Sequence, residues 1–177
     1  LFIINKHLYL CQKSIQMIKK SDLIEVLSFQ KQKIENTDLG QIRNLLGTIN
    51  PIPKNFAQII SGIRRCGKST LLHQYIFENI KEPYIYLNFD AANLFSFEIN
   101  DFKLLDEIIR DLNCKWLIFD EIQVISGWEL YVRQKLDEDY TILITGSNAS
   151  LLSRELGTKL TGRHITKELF PFSFEEF

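Results

Sequence analysis

The sequence predicts an α/β fold in three layers: a largely parallel five-stranded sheet with helices on both faces, preceded by N-terminal helices. Five short apolar runs, at 56–61, 84–89, 116–119, 141–145 and 164–170, alternate with stretches of helical periodicity. Strands separated by helices need crossover connections, and such connections make neighbouring strands parallel and cover both faces of the sheet. The 177 residues are 45% hydrophobic and 24% charged, the balance of an ordinary folded domain. A chain of this size buries roughly 70% of the surface it exposes when unfolded, enough for a sheet covered twice.

Each element has its own signal. From Ser21 to about Glu35, Leu23, Ile24, Leu27 and Ile34 recur at helical spacing, with Asp22 and Glu25 in the first turn, where the helix dipole favours carboxylates. A second helical pattern, Leu39, Ile42, Leu45, Leu46 and Ile49, stops at Asn50-Pro51-Ile52-Pro53. A short buried strand follows at Phe56 to Ser61, then a helix from Lys68 to about Asn79. The strand Tyr84 to Phe89 is entered through Pro83, and Phe102 to Leu112 is an amphipathic helix. Next come a strand at Trp116 to Phe119, a helix at Trp128 to Leu136, a strand at Thr141 to Thr145 and a helix at Ala149 to Leu156. His164 to Phe170 is the last strand, closed by Pro171. The expected division is an N-terminal helical segment, 1–50, and a core at 51–177.

Composition excludes several classes of protein. A formal net charge of -1 offers no global field for nucleic acid or anionic lipid. Lys19-Lys20 and Lys31-Gln32-Lys33 are too sparse for a nucleic-acid footprint and read as solvated helix faces. No apolar run reaches the roughly 18 to 20 residues of a membrane span, and Asn5, Lys6 and His7 interrupt the apolar start before any cleavage site. The expected compartment is cytoplasmic. Cys11, Cys66 and Cys114 are odd in number and scattered, which fits reduced thiols rather than a disulfide framework or a zinc site.

The chemistry-bearing motif is Gly62-Ile63-Arg64-Arg65-Cys66-Gly67-Lys68-Ser69, lying between a strand and a helix. Glycines let backbone N–H groups curl around a phosphate, the helix N-terminus adds partial positive charge, and Lys68 neutralises the β- and γ-phosphates. Ser69 would ligate Mg²⁺ through its hydroxyl. The strand Trp116-Leu117-Ile118-Phe119 ends in Asp120-Glu121. Asp120 can hold the metal through its water shell, and Glu121 can act as general base on a lytic water. Thr145, Ser147 and Asn148, where the next buried strand finishes, all qualify to orient that water or touch the γ-phosphate. Arg163 is a candidate arginine finger, with Arg154 a weaker one. Arg64 and Arg65 lie inside the loop, where side chains usually point away from phosphate. Cys66 sits near a helix N-terminus and two arginines, a setting for redox control, although a small filler is the simpler role. Asp90 ends the second strand and reads as a turn residue.

These residues resemble a family, the AAA-type ATPases of bacteria and archaea. The loop from Gly62 to Leu72 looks like that family's double-arginine version. Phe119-Asp120-Glu121-Ile122-Gln123 with Trp128-Glu129 resembles its Asp-Glu-Ile-Gln signature. Thr145-Gly146-Ser147-Asn148 and the tail, Leu160-Thr161-Gly162-Arg163 followed by Glu168 to Phe177, are similar too. The resemblance covers about Met17 to Phe177 and implies five parallel strands, ATP with Mg²⁺, and a catalytic pair at Asp120 and Glu121. The catalytic candidates, from the residues and the resemblance together, are Lys68, Glu121, Asn148 and Arg163. Gly62, Arg65, Cys66, Gly67, Lys68, Ser69 and Thr70 become nucleotide-binding candidates, and Ser69 and Asp120 metal ligands. Ser69 replaces the commoner threonine, and Asn148 stands where a serine is usual.

The resemblance also implies a C-terminal domain beyond Phe177, so the chain reads as a fragment. The sixteen residues before Met17 read as an extension or a misplaced start. The expected function is an ATP-binding and ATP-hydrolysing module that drives an activity in that domain or in a partner. A nucleotide-gated switch without turnover and a small-molecule phosphotransferase stand as alternatives. A homo-oligomer is expected only if Arg163 acts on a neighbour's nucleotide, and a nucleic-acid partner follows from family analogy alone.

Overall fold

The computed structural model describes residues 18–146, 160, 162–174 and 176. The helix predicted at 149–156 lies outside them. The elements, in chain order, are α1 (Lys20–Glu35), β1 (Ala57–Ser61), α2 (Lys68–Asn79), β2 (Tyr84–Asn88), α3 (Phe102–Leu112), β3 (Trp116–Asp120), α4 (Trp128–Asp137), β4 (Thr141–Gly146) and β5 (His164–Glu168). All strand pairs are parallel, in the order β2-β3-β4-β1-β5. One strand, β4, therefore separates β1 from β3.

Alternation along the strands sends side chains to two cores. Ile59, Leu87, Leu117, Phe119, Ile142 and Ile144 point to one face, where α1, α3 and α4 cover them with Leu23, Val26, Leu105, Ile108, Trp128 and Val132. The Phe102 and Tyr131 rings stack there at 3.9 Å between centroids, joining α3 to α4. The residues between them in sequence, Ile60, Tyr86, Ile118 and Leu143, face α2 and meet Leu71, Leu72, Tyr75 and Ile76. Strands buried on both faces explain why their runs read as continuously apolar.

Helix α1 closes the β2 edge. The Gln30 side chain behaves there as a short piece of strand: Oε1 accepts the Asn88 N–H at 2.8 Å and Nε2 donates to the Asn88 carbonyl at 3.2 Å. Buried positions on α1 are Leu23, Val26, Gln30 and Ile34, while Ile24, predicted to face inward, is 44% exposed.

The second helix predicted over 39–49 does not form; only a single 3₁₀ turn, Asn44–Thr48, appears in that stretch. Gly40 lies in the left-handed region at φ 56°. The backbone finds its partners elsewhere: Gln74, fully buried on α2, donates to the Leu39 and Gln41 carbonyls and accepts the Arg43 N–H. A tertiary side chain has replaced the hydrogen bonds that a helix would have made within itself.

Leu117 occupies an interior strand with no exposed surface. Leu117→Ala is expected to cost about 2–5 kcal/mol, the usual range for such a cavity. Urea unfolding should show this as a lower midpoint at unchanged slope.

Candidate functional site

The loop 62–67 runs from β1 to α2. A Cβ at Gly62 would sit 2.3 Å from the Leu169 carbonyl and 2.9 Å from Cys66 Sγ, so only glycine fits against the segment that follows β5. Gly67 holds φ 96° just ahead of α2, a conformation that side chains resist. Lys68, 4% exposed, lays its ammonium across the loop, donating to the Gly62 carbonyl at 3.2 Å and the Ile63 carbonyl at 3.0 Å. Arg64 and Arg65 are exposed, whereas Cys66 is buried as packing.

Beside the loop, register assembles a row of polar groups. Asn88 pairs with Asp120 across β2 and β3, and Thr145 stands one step beyond the Phe119–Ile144 pair across β3 and β4. Asp120 has no exposed surface. Its Oδ1 accepts the Thr145 hydroxyl, and its Oδ2 accepts the Tyr86 hydroxyl at 3.1 Å and Asn88 Nδ2 at 3.2 Å. Because the one Tyr86 hydrogen goes to Asp120, His73 Nε2, 3.2 Å from that oxygen, must be the donor to it. Burial holds His73 below its ordinary pKa, although Asp120 pulls it up, and burial together with Asp120 drives Tyr86 far above its own. Neutral imidazole and neutral phenol are thus the resident forms.

Glu121 leaves the row. Its backbone lies in the left-handed region at φ 54°, and its N–H donates to Thr145 Oγ1 at 3.2 Å. The carboxylate then sits 3.8 Å from Lys68 Nζ by Oε1 and accepts Gln123 Nε2 at 2.5 Å by Oε2. A left-handed conformation at a non-glycine residue is costly and points to a role for the side chain it aims. Adjacent acids have been separated, one sealed beneath the sheet end and one turned toward the loop lysine.

Two cavities flank the start of α2, because successive helical residues diverge by about 100°. Ser69 lines one of about 300 Å³ together with His73, Tyr86, Asn88 and Lys33. Thr70 and Gly67 line the other, about 510 Å³, with Leu39, Arg43 and Phe172. Among the described residues no cluster of three or more His, Cys, Asp and Glu could hold a metal by itself. A magnesium ion that brings its own waters and phosphate oxygens needs no such cluster, and the Ser69 hydroxyl, lining a cavity with the Tyr86 and Asn88 side chains that bond Asp120, fits that donor set.

The structure brings together Gly62, Cys66, Gly67, Lys68, Ser69, Thr70, Asp120 and Glu121. Arg163 is elsewhere. Its carbonyl accepts the Ala57 N–H at the start of β1, and its Nη1 pairs with Asp137 at 2.6 Å. That is the opposite end of the strand from the loop, about 13 Å away at strand rise, so an arginine finger from Arg163 within its own chain is ruled out by strand direction. The expected finger was read from a Gly-Arg pair without the register. Asn148 and Ser147, and with them Arg154, lie outside the described residues. Thr145 directs its hydrogen to Asp120, so it positions the acids instead of a water. Asp90 donates its N–H to Asn88 Oδ1 at 2.9 Å, an exposed turn as expected.

Sequence reasoning missed Tyr86, Asn88, Arg43 and Glu176. Strand alternation could have found Tyr86 and Asn88, polar at positions facing the same way in a strand otherwise apolar. Arg43 carried no local signal. Glu176 did carry one: Ser173 and Glu176 form a capping box, with the Ser173 N–H on Glu176 Oε2 at 3.0 Å and the Glu176 N–H on Ser173 Oγ at 3.3 Å.

A five-stranded parallel sheet with a glycine loop closing on a helix N-terminus, a buried loop lysine and an acid pair on the next strand but one defines a phosphate-loop NTPase fold. The chain belongs to the AAA domain family, whose model matches residues 54–177, and that membership points to nucleotide binding. An uncharacterized protein of Methanocaldococcus jannaschii is 33% identical over 168 residues, 92% of this chain and 38% of that protein. One of Haemophilus influenzae is 39% identical over 136 residues, 70% of this chain and 33% of its own length. The chain thus spans well under half the length of these curated relatives. Among the described residues no helix is long and apolar enough to cross a membrane.

Arg43 and the backbone N–H groups of Ser173 and Asn44 hold the Glu176 carboxyl down at about 2, from an ordinary 4.5. A folded value below the unfolded one means that the folded chain binds fewer protons in this window, so its contribution is present above pH 4.5 and lost toward pH 2. The stability gap between the wild-type chain and Glu176→Gln is therefore expected to narrow over that range, as read by urea unfolding at stepped pH.

Proposed function

We propose that the chain binds ATP with Mg²⁺ at the 62–70 loop and hydrolyses it. The observation that carries this reading is the Lys68 ammonium lying across the loop carbonyls, 3.8 Å from a Glu121 carboxylate aimed at it by a left-handed backbone. A γ-phosphate entering there exchanges with those carbonyls for Lys68 and meets the α2 N-terminus. Gly67 and Thr70 open toward the larger cavity, which is sized for a nucleoside between residues 38–43 and Phe172.

The division of labour follows from the surroundings of each group. Glu121, the partly accessible acid, takes a proton from water as its oxygen bonds to the γ-phosphorus and the bond to the bridging oxygen breaks, releasing ADP and phosphate. Lys68 neutralises charge gathering on the phosphoryl oxygens. Mg²⁺, held by Ser69 and through water by Asp120, would supply further neutralisation of the β- and γ-oxygens. Thr145, Tyr86 and Asn88 fix the Asp120 carboxyl group in orientation by three donated hydrogen bonds. The proposed role of this cycle is to power or gate an activity in a C-terminal domain or a partner, in a cytoplasmic protein.

Glu121→Gln is expected to keep ATP affinity and to lower kcat by about 10²- to 10⁴-fold, the usual contribution of a positioned base. Lys68→Ala is expected to abolish binding of a fluorescent ATP at concentrations that saturate the wild-type chain. Turnover unchanged in both variants would overturn the reading, and tight binding with no turnover in the wild-type chain would leave a nucleotide-gated switch.

A further inference from the structure

Arg43 is remote in sequence from the phosphate loop yet built against it. Its side chain is 3% exposed. Nη1 donates to the Cys66 carbonyl at 2.8 Å and Nη2 to the Phe170 carbonyl at 2.6 Å, while Nε and Nη2 grip Glu176 at 3.1 and 3.4 Å. The guanidinium carbon lies 4.3 Å from the centroid of the Phe172 ring, which covers its face. Glu176 is anchored independently of Arg43, since it also accepts the Asn44 N–H at 2.9 Å and the Ser173 N–H at 3.0 Å.

The contact with Cys66 decides what this arrangement does. A peptide unit is planar and trans, so the Cys66 carbonyl and the Gly67 N–H point in opposite directions. Drawing that carbonyl toward Arg43 turns the Gly67 N–H away from it. Anion loops work by presenting successive N–H groups, and a flipped peptide would present a carbonyl oxygen to the phosphate instead. Gly67 gives the peptide the freedom to flip, because glycine crosses between backbone regions at little cost. The fit is close, since a Cβ at Gly67 would lie 3.2 Å from Arg43 Nη1.

We infer that Arg43 is a positioning residue that locks the Cys66–Gly67 peptide in the phosphate-binding orientation, and that Glu176 holds Arg43 there. The segment 169–176 is then part of the nucleotide site's scaffold: Leu169 accepts close approach of Gly62, Phe170 and Phe172 seat the guanidinium, and Glu176 neutralises it. This inference rests on the nucleotide-site reading above and adds a group that acts through the backbone of the loop.

The test uses the 177-residue chain and titration with N-methylanthraniloyl ATP in Mg²⁺, alongside turnover at saturating ATP, below the thermal transition of each variant. Arg43→Met is expected to weaken binding by about tenfold or more while saturating turnover stays within about twofold, the pattern of lost uniform binding. Arg43→Lys keeps the charge but not the planar fork, so it should fall between Met and wild type. Glu176→Gln should weaken binding by about threefold, since a neutral amide still accepts hydrogen bonds. A folded Arg43→Met or Arg43→Lys chain with wild-type affinity and a merely lower melting temperature overturns the inference. If Arg43→Met does not fold, Arg43→Lys decides alone. A wild-type chain that fails to bind the probe overturns the nucleotide-site reading itself, a failure seen before any Arg43 variant is compared.

Discussion

A carboxylate without exposed surface sits at the C-terminal end of β3, and much of the site depends on how Asp120 is kept there. Removing a lone carboxylate from water costs several kcal/mol even after relaxation, so an ionised Asp120 requires donors on both oxygens. They come from the neighbouring strands: Thr145 on β4, and Tyr86 and Asn88 on β2. The strand order β2-β3-β4 is thereby tied to the chemistry, since a different neighbour on either side would leave an oxygen unpaired. Parallel register then sets the row level with the end of β1, where the phosphate loop begins.

Helix α2 organises what surrounds that row. Its first residues carry the loop lysine and the Ser69 hydroxyl, and its next turn carries His73 on one side and Gln74 on the other. His73 extends the Asp120 network through Tyr86. Gln74 fastens residues 39–43 to the opposite flank, which delivers Arg43 to the loop. One helix thus supports both flanks of the same site. Its apolar positions, Leu71, Leu72, Tyr75 and Ile76, bury against the sheet and keep both flanks in place.

Most of the fold was legible from local patterns. The bounds of α2 and α3 follow from periodicity and their flanking residues, and the five strands and helices α1 and α4 differ from expectation by only a residue or two at their ends. The failure over 39–49 is instructive. Apolar spacing there is helical, but Gly40 and the competing amide of Gln74 draw the backbone into an irregular path. Apolar spacing cannot register a hydrogen-bond partner that arrives from a distant helix. Arg163 is a different case: it directly precedes a strand of a parallel sheet, and such a residue stands at the end of the sheet opposite the loop of its own chain.

Spacing alone determined the loop, its lysine, the serine after it and the acid pair, because each group in those motifs acts through neighbours a few residues away. Only the tertiary structure decided which acid is buried and which is turned to the lysine, as that depends on β2 and β4 lying either side of β3 and on the left-handed backbone at Glu121. The same holds for Arg43 and Glu176, which stand far apart in the chain and meet in a buried pair beneath the loop. Sequence spacing encodes contacts made along one element, whereas a buried charge finds its partner across the fold, wherever packing leaves it no water.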